Sequence, residues 1–231
     1  MRYLRAMTRF TGQDLACIRG DRLIFGALSF ALESGGALRL TGANGSGKTS
    51  LLRVMAGLWH PSSGRLAWEG APVRKDREGH RRRLLYLGHR NAVKPWLTVA
   101  ENLEFWARLR PRDGAEPVAA AIQRGLSESG LSHIHDLPGQ YLSSGQRRRL
   151  ALARLHVASA TLWLLDEPTV GLDTESVRAL EGALAGHRAA GGMVVIATHI
   201  EIALPGAEEI RLGADTRRGG DTVSAYAGAF G

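Results

Sequence analysis

A glycine-rich segment near residue 45 has the residue types that bind phosphate groups. It follows an apolar run at residues 37–40 and reads Gly42-Ala43-Asn44-Gly45-Ser46-Gly47-Lys48-Thr49-Ser50. The glycines let successive backbone N–H groups turn toward an anion, and the helix predicted to follow directs its positive end to the same place. Lys48 is then expected to contact the β- and γ-phosphates of a nucleotide, and the Thr49 hydroxyl a Mg²⁺ ion. The alternative is a glycine-rich turn that binds nothing.

Two carboxylates and a histidine follow apolar runs further along the chain. Asp166 and Glu167 come directly after one run, and His199 closes another. Asp166, at the end of a predicted buried strand, is placed to hold Mg²⁺ together with Thr49. Glu167 can accept a hydrogen bond from an attacking water, and His199 can contact the γ-phosphate and the same water. A plain strand-end carboxylate and an ordinary half-buried histidine are the alternatives.

A second candidate phosphate site lies at the start of a predicted helix. Its residues are Ser143-Ser144-Gly145-Gln146, which follow Leu142. A helix N-terminus attracts anions, but Ser143 as a simple helix cap is the alternative. A further short motif, Gly171-Leu172-Asp173, precedes a helix whose predicted cap is Asp173 or Thr174.

In this order the motifs resemble those of the ATP-binding-cassette (ABC) ATPases. Walker A corresponds to residues 42–50, the LSGGQ-type signature to 142–146, Walker B with its glutamate to 162–167, the D-loop to 171–173 and the switch histidine to His199. The resemblance runs from about residue 12 to residue 212. The resemblance implies an enzyme that hydrolyses ATP with Mg²⁺. It also implies that Asp173 is one of the nucleotide-binding residues. It also implies a head-to-tail homodimer, in which residues 143–146 of one subunit complete the ATP pocket of the other.

Two positions depart from the common pattern of that family. Arg19 is level with the aromatic residue that stacks on adenine in most members, so a guanidinium plane is expected to stack there instead. His89 stands where most members have the glutamine that opens the helical subdomain and links the Mg²⁺-nucleotide site to a membrane partner. A neutral imidazole can serve such a link, whereas a protonated one is repelled by Mg²⁺.

Three phrases of the sequence further resemble the ATPase subunit of the bacterial haem exporters of cytochrome c maturation. They cover residues 41–49, 86–89 and 144–155. This resemblance implies transmembrane partner subunits, a peripheral position on the cytoplasmic face of the inner membrane, and no nucleic-acid partner. We expect the partner to dock beside His89 and the helices between residues 98 and 130. Trp96 is a candidate anchor there, with an ordinary core tryptophan as the alternative.

Strand and helix patterns alternate along most of the chain and must position these residues. They predict an α/β fold, a P-loop ABC ATPase with a mostly parallel core sheet, an N-terminal antiparallel β subdomain and an inserted helical subdomain. We assign residues 1–88 and 157–231 to the nucleotide-binding core and residues 89–156 to the helical subdomain.

Local patterns give the individual elements. Three short strands are predicted at residues 15–18, 23–25 and 28–32, with Gly26 as a break. The helix that begins at Lys48 is predicted to bury Leu58 on the same face as Leu51, Leu52 and Met55. Thr98 and Glu101 form a predicted capping box for the next long helix.

The amino-acid composition limits the possible location of the protein and the character of its surface. The 231 residues carry one cysteine, and 30 Lys and Arg against 22 Asp and Glu give a net charge of +8. No run approaches the roughly 18 apolar residues of a membrane span, so we expect a cytoplasmic protein in a reducing compartment. The arginine runs at 81–83, 147–149 and 217–218 are read as cationic surface.

Two other functions remain open from the sequence. One is a soluble ABC ATPase of nucleic-acid biology, for which the arginine runs would be the binding surface. The other is a subunit that binds ATP without hydrolysing it, against which Glu167 and His199 argue.

Overall fold

An antiparallel sheet comes first in the chain. The computed structural model describes residues 8–109 and 116–213. The strands of this sheet are β1 (Arg9–Arg19), β2 (Arg22–Glu33), β4 (Ser63–Trp68) and β5 (Ala71–Pro72). They are hydrogen-bonded in the order β2-β1-β4-β5. Strands β4 and β5 form a hairpin, because they pair on either side of Glu69 and Gly70.

A second sheet has five strands, all parallel. They are β3 (Ala37–Thr41), β6 (Leu84–Leu87), β7 (Leu162–Asp166), β8 (Met193–Ala197) and β9 (Glu208–Arg211). The strand order is β6-β7-β8-β3-β9. Because parallel strands end at the same edge of a sheet, the C-terminal ends of β7, β8 and β3 lie side by side.

Six α-helices accompany the sheets in the described residues. They are α1 (Lys48–Met55), α2 (Arg77–Arg83), α3 (Val99–Leu109), α4 (Val118–Glu128), α5 (Ser144–Val157) and α6 (Thr174–Ala189). Helices α3, α4 and α5 share a buried apolar cluster that includes Leu103, Leu126 and Leu150. The predicted capping box of α3 is confirmed, since the Glu101 carboxylate accepts from the Thr98 backbone N–H at 2.7 Å and the Thr98 hydroxyl from the Glu101 N–H at 3.1 Å.

The parallel sheet is buried on both faces. Along β7, Leu162 and Leu164 join a cluster that reaches α1 and the antiparallel sheet, whereas Trp163 and Leu165 join a cluster with α5 and α6. A strand covered on both sides reads as a continuous apolar run. The sequence of β7 is therefore recognisable as a strand, and Asp166, its last residue, is the first charged residue after the apolar run.

The N-terminal strands differ from the sequence prediction. The three predicted short strands are two long ones, and Gly26 lies within β2. The pairing of β1 with β2 contains register shifts, and Asp14 and Ala27 have φ of 48° and 51°. The apparent break at Gly26 is therefore a β-bulge, where the chain bends while the ladder continues, whereas the break at Gly20 and Asp21 is the turn that joins β1 to β2.

Two apolar side chains are more exposed than predicted. Helix α1 ends at Met55 and the chain turns at Gly57, whose φ is 67°. Leu58 therefore leaves the buried face and is 60% exposed. Trp96 is 78% exposed, so its interpretation as an ordinary core tryptophan is wrong.

Some sequence features cannot be compared with the structure. The arginines at 217 and 218 and the tail after residue 213 lie outside the described residues. Within the described part of the chain, no helix combines the length and the apolar composition needed to span a bilayer.

Candidate nucleotide-binding and hydrolysis site

The glycine-rich segment connects β3 to α1 in a conformation that only glycine adopts easily. Gly42 and Gly47 have φ of 132° and 112°. A Cβ atom placed on Gly42 would lie 2.1 Å from the Leu212 carbonyl oxygen. The tight passage beside β9 therefore requires glycine at residue 42, and the left-handed turn at Gly47 sets the start of α1.

Polar groups at the end of this loop lack partners outside it. The Lys48 side chain is buried, and its Nζ donates to the Gly42 carbonyl at 2.7 Å and the Ala43 carbonyl at 3.2 Å. The Ser46 hydroxyl is buried with no hydrogen-bond partner among the described residues. Helix α1 begins with no side-chain cap and no acidic residue in its first turn. The loop is thus a cradle of positive potential that suits phosphate groups.

The remaining residues of the glycine-rich segment lie on the same loop or at the start of α1. Ala43, Asn44 and Gly45 are exposed at the tip of the loop, and Ser50 is half-buried in the first turn of α1. All nine residues predicted to bind phosphate therefore lie on this loop or on the turn of helix that continues it.

Thr49 and Asp166 form one polar cluster at the adjoining strand end. The Thr49 hydroxyl donates to Asp166 Oδ1 at 3.1 Å. The other carboxylate oxygen, Oδ2, is buried and has no hydrogen-bond partner among the described residues. Burial raises the pKa of Asp166, as does the neighbouring Glu167 charge, while the Thr49 hydrogen bond and the charges of Arg53 and His89 lower it.

These groups fit a Mg²⁺ ion. A hydroxyl and a carboxylate oxygen are hard ligands, and Mg²⁺ binds through few protein groups together with nucleotide phosphates and water. The described residues contain no group of three or more His, Cys, Asp or Glu side chains arranged to hold a metal by themselves. The unpartnered Asp166 oxygen is therefore the observation that favours a cation bound jointly with phosphate.

Glu167 and His199 contact each other beside this cluster. The His199 Nδ1 atom lies 2.8 Å from Glu167 Oε2, so Nδ1–H donates to the carboxylate. The backbone N–H of Glu167 donates to the Ala197 carbonyl at 2.8 Å. Glu167 itself has φ of 49°, an unusual conformation for a residue with a side chain.

His89 lies at the same edge of the sheet. It is exposed, two residues beyond the end of β6, and its charge acts on the Asp166 carboxyl. The structure thus brings the glycine-rich loop, Asp166, Glu167, His199 and His89 together at the C-terminal ends of adjacent strands.

Arg19 has a neighbour that the sequence did not indicate. Its guanidinium carbon lies 3.7 Å from the centre of the Trp59 ring, and the Arg53 guanidinium lies 4.8 Å from the same ring. One face of the Arg19 plane is therefore already stacked. No spacing rule links a tryptophan after α1 to the end of β1, because tertiary packing alone brings them together.

The predicted signature segment caps α5. The Ser143 hydroxyl accepts from the Gln146 N–H at 3.2 Å, and the Gln146 side-chain oxygen accepts from the Ser143 N–H at 2.8 Å. Ser143 and Ser144 are exposed, and Gly145 and Gln146 are half-buried. The cap interpretation of Ser143 is therefore correct, and the cap leaves the start of α5 open to solvent.

Asp173 caps α6 and is also exposed. Its carboxylate accepts from the Ser176 N–H at 2.8 Å, and this hydrogen bond lowers the pKa of Asp173. The start of α5 lies close to the loop before α6, because a Cβ on Gly145 would be 3.7 Å from the Gly171 carbonyl oxygen. The signature segment and the D-loop thus face outward together.

One predicted surface residue is buried. Arg148, in the run 147–149, is 5% exposed, and burial lowers its pKa against the opposing effect of the Asp166 and Glu167 carboxylates. It donates to the side-chain oxygen of Asn91 at 3.0 Å and to the backbone just beyond β7. The interpretation of this run as a continuous cationic surface is wrong, because helix periodicity turns its middle member inward.

A phosphate cradle, a candidate cation site and a paired glutamate and histidine on this fold define a P-loop ATPase of the ABC class. A family model described as "ABC transporter" matches residues 25–170. The chain belongs to the ABC transporter family, and it is an ATP-binding ATPase.

Curated relatives match nearly the whole chain. A "Cytochrome c biogenesis ATP-binding export protein CcmA" of Paramagnetospirillum magneticum is 54% identical over 88% of this chain and 93% of the relative. The protein of the same name from Rhodospirillum rubrum is 51% identical over 88% of this chain and 85% of the relative. The predicted relationship to the ATPase subunits of cytochrome c maturation is confirmed.

Solved structures share the fold. The ATP-binding subunit of an ABC transporter superimposes with a TM-score of 0.76 at 22% identity, covering 89% of this chain and 88% of that one. A dimeric ATP-binding cassette in a post-hydrolysis state, bound to ADP and Pi, gives a TM-score of 0.73 at 21% identity, covering 88% and 94%. The predicted α/β P-loop class is confirmed.

Proposed function

We propose that this chain is the ATP-hydrolysing subunit of a cytochrome c biogenesis exporter. The observation that carries the hydrolytic part is the contact of Glu167 Oε2 with His199 Nδ1 at 2.8 Å, next to a buried Asp166 oxygen without a partner. The biological process is inferred from relatives that are named as export proteins of cytochrome c biogenesis and match along most of their length.

Different residues of the site have different roles in the transfer of a phosphoryl group to water. The loop at 42–50 binds the phosphates, and Lys48 exchanges its bonds to the loop carbonyls for bonds to phosphate oxygens. Thr49 and Asp166 would hold Mg²⁺, which would neutralise phosphate charge. Glu167 accepts a hydrogen bond from the attacking water, and His199 fixes the direction of that carboxylate while its own side chain stays exposed.

A homodimer completes the site in this proposal. Ser143, Ser144 and Asp173 are exposed and Gly145 and Gln146 are half-buried, at a helix start whose dipole favours anions. They would contact the nucleotide bound to a second copy of the chain, in the head-to-tail arrangement expected from the sequence.

The proposed partners are transmembrane subunits, and the proposed cargo is haem. An ATPase of this kind acts through such subunits at the cytoplasmic face of the inner membrane. His89 and the exposed Trp96 are the candidate contacts beside helices α3 and α4. The alternative function on nucleic acid loses support, because Arg148 is buried in the second arginine run and does not contribute to a cationic surface.

A genetic experiment in the source organism tests this function. Removal of the gene is expected to abolish c-type cytochromes detected by covalent haem staining, and the wild-type gene is expected to restore them. Glu167→Gln should not restore them, whereas Glu78→Gln, a change on the exposed surface of α2, should. Normal cytochromes in the deletion strain would exclude the proposed process, and ATP hydrolysis by the purified chain is measured separately.

A further inference from the structure

A buried arginine of the signature helix holds the backbone that carries Glu167. Arg148 lies in the second turn of α5, and its guanidinium donates to the carbonyl oxygens of Asp166 at 3.4 Å and Pro168 at 3.2 Å. It also donates to the Glu167 carbonyl. One side chain thus binds three successive carbonyl groups at the point where β7 ends.

The backbone of Glu167 needs such support. A residue with a side chain at φ of 49° is strained, and this conformation persists only where the surroundings fix it. The Glu167 N–H donates to the Ala197 carbonyl of β8, and the Glu167 carbonyl accepts from Arg148 and from the Val170 N–H at 3.3 Å. Both backbone polar groups of Glu167 are therefore bound, the N–H by the sheet and the carbonyl by α5 and the following turn, and the carboxylate is directed to His199.

Arginine suits this position for geometric reasons. Its planar fork carries five N–H donors, and here it serves three carbonyls and the Asn91 side chain at 3.0 Å. Lysine keeps the charge, but its three N–H donors share one nitrogen atom and have no fixed plane. The carboxylates of Asp166 and Glu167 offset part of the cost of burying the charge.

We propose that Arg148 is a positioning residue for ATP hydrolysis, which aligns Glu167 with the attacking water through the backbone. Because Arg148 is on α5, the helix that begins with the signature segment, it ties the placement of that segment to the catalytic glutamate of the same chain. This inference rests on the proposed role of Glu167, but it is independent of the exported cargo.

The purified full chain provides the test. We expect Arg148→Lys to lower kcat for ATP hydrolysis by about 10- to 100-fold, because a small misplacement of a catalytic group has effects of this size. The Kd for ATP should stay within about twofold, since Arg148 does not reach the phosphate loop. Arg154→Lys is the matched control: this second buried arginine of α5 stacks on Trp106 at 3.5 Å, and its change should leave kcat within about twofold.

A double-mutant cycle separates positioning from general stability. If Arg148 acts through Glu167, Arg148→Lys should cause no further loss of kcat in a Glu167→Gln background. Equal losses in both backgrounds, or unchanged kcat in Arg148→Lys, would overturn the proposal. Arg148→Gln, whose amide can donate to two of the carbonyls, repeats the cycle if the lysine variant does not fold.

The outcomes distinguish this inference from the proposed function. Wild-type turnover in Glu167→Gln alone would overturn the role of Arg148 as well. Normal cytochromes in the deletion strain would reject the export function and leave the kinetic cycle intact.

Discussion

In the proposed mechanism, hydrolysis depends most directly on Glu167. We expect Glu167→Gln to bind ATP with near wild-type affinity and to hydrolyse it at least about 100-fold more slowly, because glutamine cannot accept a proton from the water. The stalled variant should also form an ATP-dependent dimer. Steady-state ATPase assays and gel filtration with and without ATP measure both effects, and a turnover equal to wild type would remove Glu167 from the mechanism.

The stacked pair of Arg19 and Trp59 leads to a prediction about base recognition. Trp59 holds the guanidinium plane of Arg19, so either Arg19→Ala or Trp59→Ala should weaken ATP binding by about 2- to 30-fold, the range of a cation–π contact. Stacking discriminates poorly between bases, so GTP should compete with ATP within a modest factor. Competition binding measures this, with Arg22→Ala at the start of β2 as the control.

Two results would contradict this role of Arg19. One is an unchanged nucleotide affinity in both alanine variants, and the other is a strong preference for ATP over GTP.

Sequence alone identified the residues of the site that lie on contiguous motifs. The loop at 42–50, Asp166, Glu167 and His199 each follow an apolar run that becomes a strand, so periodicity places them at one sheet edge. Trp59, Asn91 and Arg148 were missed as site residues. Their contacts depend on packing between elements distant in the chain, and a residue between two other arginines carries no sign that it alone points inward.

At the scale of elements, a buried histidine joins α2 to the antiparallel sheet. His80 is almost fully buried, and its Nδ1 accepts from the Trp68 indole N–H at 2.9 Å. Burial lowers the pKa of His80 to about 4, and the charges of Arg81 and Arg83 act in the same direction. The packing of α2 on β4 therefore requires the neutral imidazole.

The stability of the chain should consequently fall in mild acid. Above about pH 6.5 His80 is neutral in both states, and as the pH falls the unfolded chain takes up the proton first. Between pH 7 and pH 5 this should cost the folded state about 2 kcal/mol. Urea unfolding at the two pH values measures it.

His80→Asn tests the assignment, since its amide oxygen can accept from Trp68 and does not titrate. This variant should lose less stability over the same pH interval, whereas His133→Asn, at an exposed position of a short 3₁₀ helix, should behave as the wild type. An equal loss in wild type and His80→Asn would exclude His80 as the cause.

The ends of strands and helices were predictable in two cases. One is a strand that is buried on both faces of the sheet, and the other is a helix whose capping residues are close together in sequence. Strands β6 and β8 coincide with short apolar runs in the sequence, and Thr98 and Glu101 cap α3 as predicted. Bulges in β1 and β2 were not predictable, because a bulge and a strand end give the same interruption of the pattern. The early end of α1 depends on a left-handed Gly57, which sequence permits but does not require.

At the scale of the whole molecule, an exposed tryptophan is held on a rigid loop. The Asn102 side chain accepts from the Lys94 N–H at 2.8 Å and donates to the carbonyls of Lys94 and Leu97, each at 3.1 Å. The loop around Trp96 is thus preorganised, which lowers the entropic cost of binding a partner. A large exposed aromatic on a fixed loop is the kind of anchor that dominates interfaces.

We therefore expect photo-crosslinkers at positions 96 and 108 to capture a membrane subunit in the native host. A crosslinker at Leu58, an exposed apolar residue after α1, serves as the control and should capture none. Trp96→Ala should lower the yield of membrane proteins that co-purify after detergent extraction. If the chain remains entirely in the soluble fraction while its membrane partners are produced, this docking prediction is wrong.

The order of the parallel strands has a consequence for how the chain is made. Strand β8 lies between β3 and β7, so Thr49 and Asp166 are brought within hydrogen-bond distance across a strand that follows both of them in sequence. A nascent chain on the ribosome can therefore expose both Walker motifs and still have no cation site until residue 197 has left the exit tunnel. A fragment that ends before residue 193 would retain the phosphate-binding loop at 42–50 and Asp166 but lack the strand that aligns them, so nucleotide cannot stabilise the protein during synthesis until its central strand is inserted.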